Sequence, residues 1–452
     1  NYLSFSDYKR WDLSTTKKFS VSEETSNYLK EQLDQKVIIT MAFLKSSKIR
    51  NQLKLLLEEY TRLSDGKIEF NHLDPVIDKA RALEISNRYE RQIDQNCLFI
   101  EIQGKAKKLT ETDLLDESGR FFTGEDAITS AMLAVTEIKP KTVYLIAGKG
   151  KLKSVNNRSA DKELINLSKK QFFNLKELTL GNITKIPDDA DSLILINPET
   201  DFNLSEVSIL TKYWEEKRGS MVLLLNPSTD MPNFYPFLRS LGVRVDNKYR
   251  MLFSETTGIG GAQKVYTLQS KILSANPITS SDGGKITTFA GQTCPLSIAE
   301  DNEILSSKGI VATPLLEADP KFWGDLNHTE SYPKQSDEDV LPNPNPIYVA
   351  AMVEKGGSED ESIKINSSRL VVVANSTLLD PMPTKLNVEF VMNSINWTID
   401  RQDRIGINPT HSTNFKINMS AEKYQTLFYL VVCIIPISAL LFGIATWSAR
   451  RN

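Results

Sequence analysis

Cysteine is scarce in this 452-residue chain: three residues, Cys97, Cys294 and Cys433, with no C-x-x-C spacing. That excludes a disulfide framework and a cysteine-rich zinc site. Histidine is equally scarce. His72, His328 and His411 show no H-x-x-x-H spacing, so no zinc site of that kind is expected, and His72 reads as a structural residue within a strand. There is no positive excess either. The 54 basic and 57 acidic residues give a formal net charge of -3, which leaves no electrostatic footprint for nucleic acid. Catalytic signatures are missing as well. No G-x-S-x-G supplies a nucleophile elbow, and no cysteine follows a strand where an amidotransferase nucleophile would stand. Cys294 and His328 fall in irregular sequence and are not expected to act as nucleophile and base. The reading is therefore of a non-enzyme with no cofactor and no metal.

One feature is present in full. Leu427 to Trp447 (LFYLVVCIIPISALLFGIATW) is apolar, and no charge falls between Lys423 and Arg450. A helix of that length spans about 31 Å, close to the roughly 30 Å of a bilayer's hydrocarbon. Tyr424, Tyr429 and Trp447 lie towards its two ends, where aromatic belts form, and Pro436 is tolerable in a membrane helix. A transmembrane anchor over 424–449 is expected. Lys416 and Lys423 balance Arg450 and Arg451, so the charge rule leaves orientation undecided. The chain opens at Asn1, which leaves room for an upstream targeting or membrane segment. Small residues allow close helix contact in lipid, so Ser438, Ala439, Gly443 and Ala445 form the expected contact face.

The rest reads as α/β. Over 1–138 the pattern is β-α-β-α-β-β: Val37–Phe43, a helix carrying Leu53, Leu56, Leu57 and Tyr60, then Lys67–Leu73, a helix near 80–89, and a hairpin about Gly104. Ser20 and Glu23 fit a capping box for a helix ahead of the first strand. That order is thioredoxin-like, but the turn Leu44-Lys45-Ser46-Ser47 holds no cysteine, so redox chemistry is not expected. A helix over 124–136 leads into a second α/β domain over 139–415. Its apolar runs Thr142–Ala147, Ser192–Ile196, Met221–Leu225 and Arg369–Ala374 suit a parallel sheet covered on both faces. Residues 246–346, rich in Gly and Pro turns, read as an irregular β-rich insertion.

In open α/β sheets, ligand groups gather at the carboxyl ends of strands. Those positions carry Gly148-Lys149-Gly150, Asn197-Pro198-Glu199, Asn226-Pro227-Ser228-Thr229 and Asn375-Ser376-Thr377. Lys149, Asn197, Glu199, Asn226 and Ser228 are the candidates for a shallow groove; the plainer alternative is that turns require such residues. Gly148-Lys149-Gly150-Lys151 meets neither the phosphate-loop pattern nor, with Lys153 in place of a third glycine, the dinucleotide fingerprint. It reads as a solvated turn, or else a lysine loop that attracts an anion.

Several stretches resemble GldG-like proteins, the gliding-motility-associated auxiliary components of ABC transporters. They are Arg10-Trp11-Asp12-Leu13-Ser14, Lys18-Phe19-Ser20-Val21-Ser22, Leu73-Asp74-Pro75, Phe122 to Ser130, Val143 to Gly150, Arg369 to Ser376 and Asn393 to Trp397. Ile435-Pro436 and Trp447 before Arg450-Arg451 resemble the closing helix of that family. The resemblance implies an extracytoplasmic region at an inner membrane, between an upstream helix and the C-terminal one. It also implies partnership with a permease and a separate ATPase, and a central fold like the class I glutamine amidotransferases without the catalytic cysteine. It supplies no catalytic residues. Here Gly148-Lys149-Gly150-Lys151 replaces that family's usual Gly-His-Gly-Glu turn. Two alternatives are a stand-alone ligand-binding module and, last, a cryptic hydrolase; self-association stays open.

Overall fold

The computed structural model describes residues 21–401, except 89–92, 94–95, 117–118, 120, 137–140, 151–153, 156–157, 217, 257–261, 301, 331–333, 357–366 and 380–383. Contacts group the chain into two units, Asn1–Thr410 and His411–Asn452. The apolar run Leu427–Trp447, with Ser438, Ala439, Gly443 and Ala445, lies outside the described residues. Among the described residues, no helix is long and apolar enough to cross a membrane. The first unit is mixed α/β.

Its first part holds α1 (Glu23–Asn27), β1 (Val37–Ala42), α2 (Arg50–Leu63), β2 (Ile68–Leu73), α3 (Lys79–Arg88), β3 (Cys97–Ile102) and β4 (Lys105–Thr110). Ser20 is outside the described residues; the hydroxyl of Ser22 accepts the Thr25 N–H at 3.2 Å. The four strands lie in the order β2-β1-β3-β4. β1 runs parallel to β2 and antiparallel to β3, and β3 and β4 form the expected hairpin about Gly104. Leu53, Leu57 and Tyr60 recur at helical spacing and bury one face of α2 in this core.

α4 (Gly124–Thr136) packs on β3 and β4 and also on α5 (Ala160–Gln171). Residues 123–133 are all buried. The sequence GEDAITSAMLAVT explains how: small residues keep the helix slim, and its hydroxyls find partners inside. The Tyr60 hydroxyl lies 2.5 Å from Thr129 Oγ1 and donates to the Glu125 carbonyl at 3.1 Å.

The second sheet contains eleven strands. Its centre is parallel: β6 (Asn174–Leu178), β5 (Thr142–Ile146), β7 (Ser192–Ile196), β8 (Ser220–Leu224) and β18 (Ser368–Val373), neighbours in that order. Every residue of β5, β7, β8 and β18 is buried, because helices cover both faces. α5 and α9 (Lys385–Thr398) contribute to the core on one face. α6 (Leu204–Glu216) and α7 (Tyr235–Ser240) contribute to the other through Leu210, Trp214 and Leu238.

The stretch 246–346 is β-rich as expected, but it is not set apart from the sheet. β12 (Leu268–Ile272), β13 (Ile286–Phe289) and β15 (Ile310–Ala318) extend it antiparallel beyond β17 (Tyr348–Lys355). β9 (Val243–Val245) joins through β14 (Leu296–Ile298). The remaining strands β10 (Arg250–Thr256), β11 (Ala262–Val265) and β16 (Trp323–Asp325) make a small sheet of their own, and the short helix α8 (Glu303–Ser307) precedes β15. Lys264 Nζ lies 3.5 Å from Asp325 Oδ2, a buried ion pair without hydrogen-bond alignment.

Candidate functional site at the strand ends

The carboxyl ends of β5, β7, β8 and β18 open onto the turns singled out from the sequence. After β5, Gly150 comes so near the next turn that an added Cβ would stand 2.1 Å from the Asn197 carbonyl oxygen. The Lys149 carbonyl accepts N–H bonds from Glu199 at 2.8 Å and Thr200 at 3.0 Å. Asn197 is buried with a φ of 51°, and its N–H donates to the Leu224 carbonyl. Glu199 is exposed.

Lys149 is not the solvated side chain that its turn suggested. Its Nζ lies 2.5 Å from Glu206 Oε2 on α6, donates to the Asp201 carbonyl at 3.2 Å, and stands 4.8 Å from the centre of the Phe202 ring. The two charged side chains are 13% and 7% exposed. Glu206 also accepts the Asn203 N–H, closing a reciprocal cap in which Asn203 accepts from Glu206 N–H. This lysine joins one turn to one helix, and its charge is already paired with that of Glu206.

After β8, Asn226 Oδ1 accepts the Ser228 N–H at 3.0 Å, an Asx turn. Thr229 then donates to the Pro198 carbonyl, which ties this turn to the β7 turn. The structure thus brings all five candidate residues to one edge of the sheet. It also adds residues the sequence did not single out. Ser228 Oγ donates to Gln292 Oε1 at 2.9 Å, and Arg250 Nε donates to the same oxygen at 3.0 Å. Asn375, after β18, anchors the Gln292 segment by donating to the Ala290 and Gln292 carbonyls.

Arg250 is 6% exposed. Its Nη1 donates to the carbonyls of Asn247 at 2.6 Å and Tyr249 at 2.8 Å. Among the described residues, no carboxylate pairs with it. Burial presses its pKa down, and only the ionised forms of Cys294, Tyr235 and Tyr266 beside it would oppose the shift. Burial pushes the Cys294 thiol up to about 12 and raises the phenols of Tyr235 and Tyr266. His328 is pressed down by burial first and by Arg250 second. Cys294 is therefore a neutral core thiol, not a thiolate nucleophile. The only sequence signal for Arg250 was a charge heading the apolar run of β10.

A separate cleft of about 350 Å³ lies beside β4, α4 and α5, with Asp113, Asp116, Asp126, Lys108 and Lys169 among its lining residues. No group of His, Cys, Asp and Glu among the described residues is arranged to hold a metal ion.

Residues 15–114 match a family described as a domain of unknown function, DUF7088. No curated protein sequence matches the chain. Among solved structures, the mmIFT52 N-terminal domain is 12% identical with a TM-score of 0.39, the match covering 57% of this chain and 97% of that one. A putative ThuA-like protein from Bacteroides uniformis is 12% identical with a TM-score of 0.32, over 58% of this chain and 93% of that one. An exo-β-1,4-mannosidase from Opitutaceae bacterium strain TAV5 is 12% identical with a TM-score of 0.28, over 79% and 50% respectively. These likenesses are too distant to carry an argument.

Proposed function

We propose that the chain is a non-catalytic, membrane-anchored auxiliary subunit of an ABC transporter of the gliding-motility type, working in assembly, coupling or substrate handling outside the inner membrane. The observation that carries this reading is the use made of the strand-end residues. Where an enzyme on an open α/β sheet gathers reactive groups, Lys149 is paired with Glu206 and Asn375 holds backbone carbonyls, while Cys294 is sealed and neutral. That edge is built for rigidity. The apolar run Leu427–Trp447 supplies the anchor, and the motif order of a GldG-like chain supplies the partners, a permease and its ATPase. Under the same reading, the β2-β1-β3-β4 sheet is a thioredoxin-like domain without its cysteines. The parallel-centred sheet is then a glutamine-amidotransferase-like domain without its nucleophile.

The test is a mild-detergent pull-down of the intact chain, followed by mass spectrometry. A polytopic permease and a nucleotide-binding ATPase should come with it. Recovery of the chain alone, from membranes that contain such a permease, would move the assignment to a stand-alone ligand-binding module. One observation favours that second reading: exposed Ser228 shares Gln292 Oε1 with Arg250, a buried cation that has no acid partner among the described residues.

A further inference from the structure

A guanidinium withdrawn from water normally carries a counter-charge, because an isolated buried ion costs several kcal/mol. Three other buried or half-buried cations of this chain follow it. Lys149 has Glu206, Lys264 has Asp325, and Arg369 has Glu354 and Asp400. Arg250 does not. Its nitrogens meet two backbone carbonyls and one neutral amide oxygen, and its Nη2 makes no hydrogen bond among the described residues. That nitrogen is also absent from the sealed, unpartnered atoms, so solvent reaches it. Its titratable neighbours Cys294, Tyr235, Tyr266 and His328 are each biased by burial towards the neutral form. The positive charge is therefore uncompensated, and it stands at the carboxyl end of a parallel sheet, beside an exposed serine hydroxyl.

We propose that Arg250 is the anchor of an anion-binding site, and that its ligand is a small organic acid or an acidic side group presenting one carboxylate to Nη2 beside Ser228. The choice of a carboxylate follows from charge. One guanidinium neutralises one negative charge. The second carboxylate of a dicarboxylic acid can stay in water at the far end of its chain, whereas a doubly charged phosphate would bring its second charge into the same half-buried place. Gln292 already shows what the site accepts, since its Oε1 receives both Arg250 Nε and Ser228 Oγ as a carboxylate oxygen would. The inference deepens the strand-end binding reading and does not require the transporter partners.

The experiment is thermal unfolding of the full-length chain in mild detergent, titrated with acetate, with succinate and with inorganic phosphate against chloride at matched ionic strength. Acetate or succinate should raise the midpoint saturably, and Arg250→Gln should weaken the half-saturation at least about tenfold. Gln292→Glu is the second variant. It places a carboxylate on the guanidinium from within, so it should raise the midpoint without ligand and abolish the response, and it serves even where Arg250→Gln does not fold. A stronger response to phosphate than to either carboxylate would overturn the ligand class. An equal response in all three proteins, or none in the unsubstituted chain, would overturn the site. Because no permease is present, failure here leaves the subunit reading standing, and a pull-down without a permease leaves this site standing.

Discussion

Lys149 and Glu389 illustrate how burial decides the behaviour of single charges in this molecule. Lys149→Met would strand the carboxylate of Glu206, which is 7% exposed, and should cost about 3 kcal/mol. Glu206→Gln with Lys149→Met should recover part of it; urea unfolding of the single and double variants measures both. Equal midpoints for Lys149→Met and the unsubstituted chain would mean that the pair adds nothing. Glu389 is a different case. Lys385 Nζ lies 3.1 Å from its Oε1, close enough for an ion pair but not aligned for a hydrogen bond. Burial dominates and raises the Glu389 pKa, with Lys385 opposing. The folded chain thus holds this proton more tightly than the unfolded chain. Stability from this group is full below the model-peptide value of 4.5 and is lost as pH rises through the raised value. Glu389→Gln should therefore gain stability relative to the native chain at pH 7.5 and lose that advantage near pH 4, read from unfolding midpoints at the two pH values. A constant difference would show that Glu389 does not titrate in this way.

At the scale of elements, α9 depends on one arginine from a neighbouring strand. Arg369 on β18 donates to the Trp397 carbonyl at 2.7 Å, pairs with Glu354 on β17, and stands 5.1 Å from the centre of the Trp397 ring. It satisfies a carbonyl at the end of the helix and offers a cation to the negative end of its dipole. Arg369→Met should cost about 3 kcal/mol, with a lower urea midpoint and a changed near-ultraviolet signal from Trp397. An unchanged midpoint would show the clamp to be ornamental. Elements of this kind were the most legible in the sequence. The helix over 124–136 has the bounds expected from its pattern, and β5, β7, β8 and β18 were visible as continuous apolar runs because both of their faces are covered. β6 was missed. Its sequence NLKEL is largely exposed at a sheet edge, so no face imposes alternation.

For the whole molecule, the proposed membrane anchor carries the strongest consequence. Ser438→Leu or Gly443→Leu should reduce co-purification with the permease several-fold while leaving the chain in the membrane fraction, since bulk at a helix contact prevents close approach. Retained association in both variants would remove that contact face. The architecture of the described residues also explains why residues 246–346 looked irregular. Their strands pair with partners far along the chain, as β12 does with β15 and β15 with β17, so local pattern carries little of their placement. Similarly, α4 is buried against the first sheet and against α5, a position that its composition permits but does not specify.

The sequence by itself determined the α/β class, the central apolar strands and several of the helices, the apolar stretch near the C-terminus and the turns that meet at the sheet edge. Hydrophobic periodicity and turn chemistry are local, and they can be read in a window of a few residues. Only the tertiary structure decided which charges are compensated. Lys149 finds Glu206 across 57 positions, and Arg250 meets Gln292 across 42 but finds no acid among the described residues. Pairing and desolvation arise from neighbours that folding supplies, so one buried cation clamps a turn to a helix while another stands without an acid beside it.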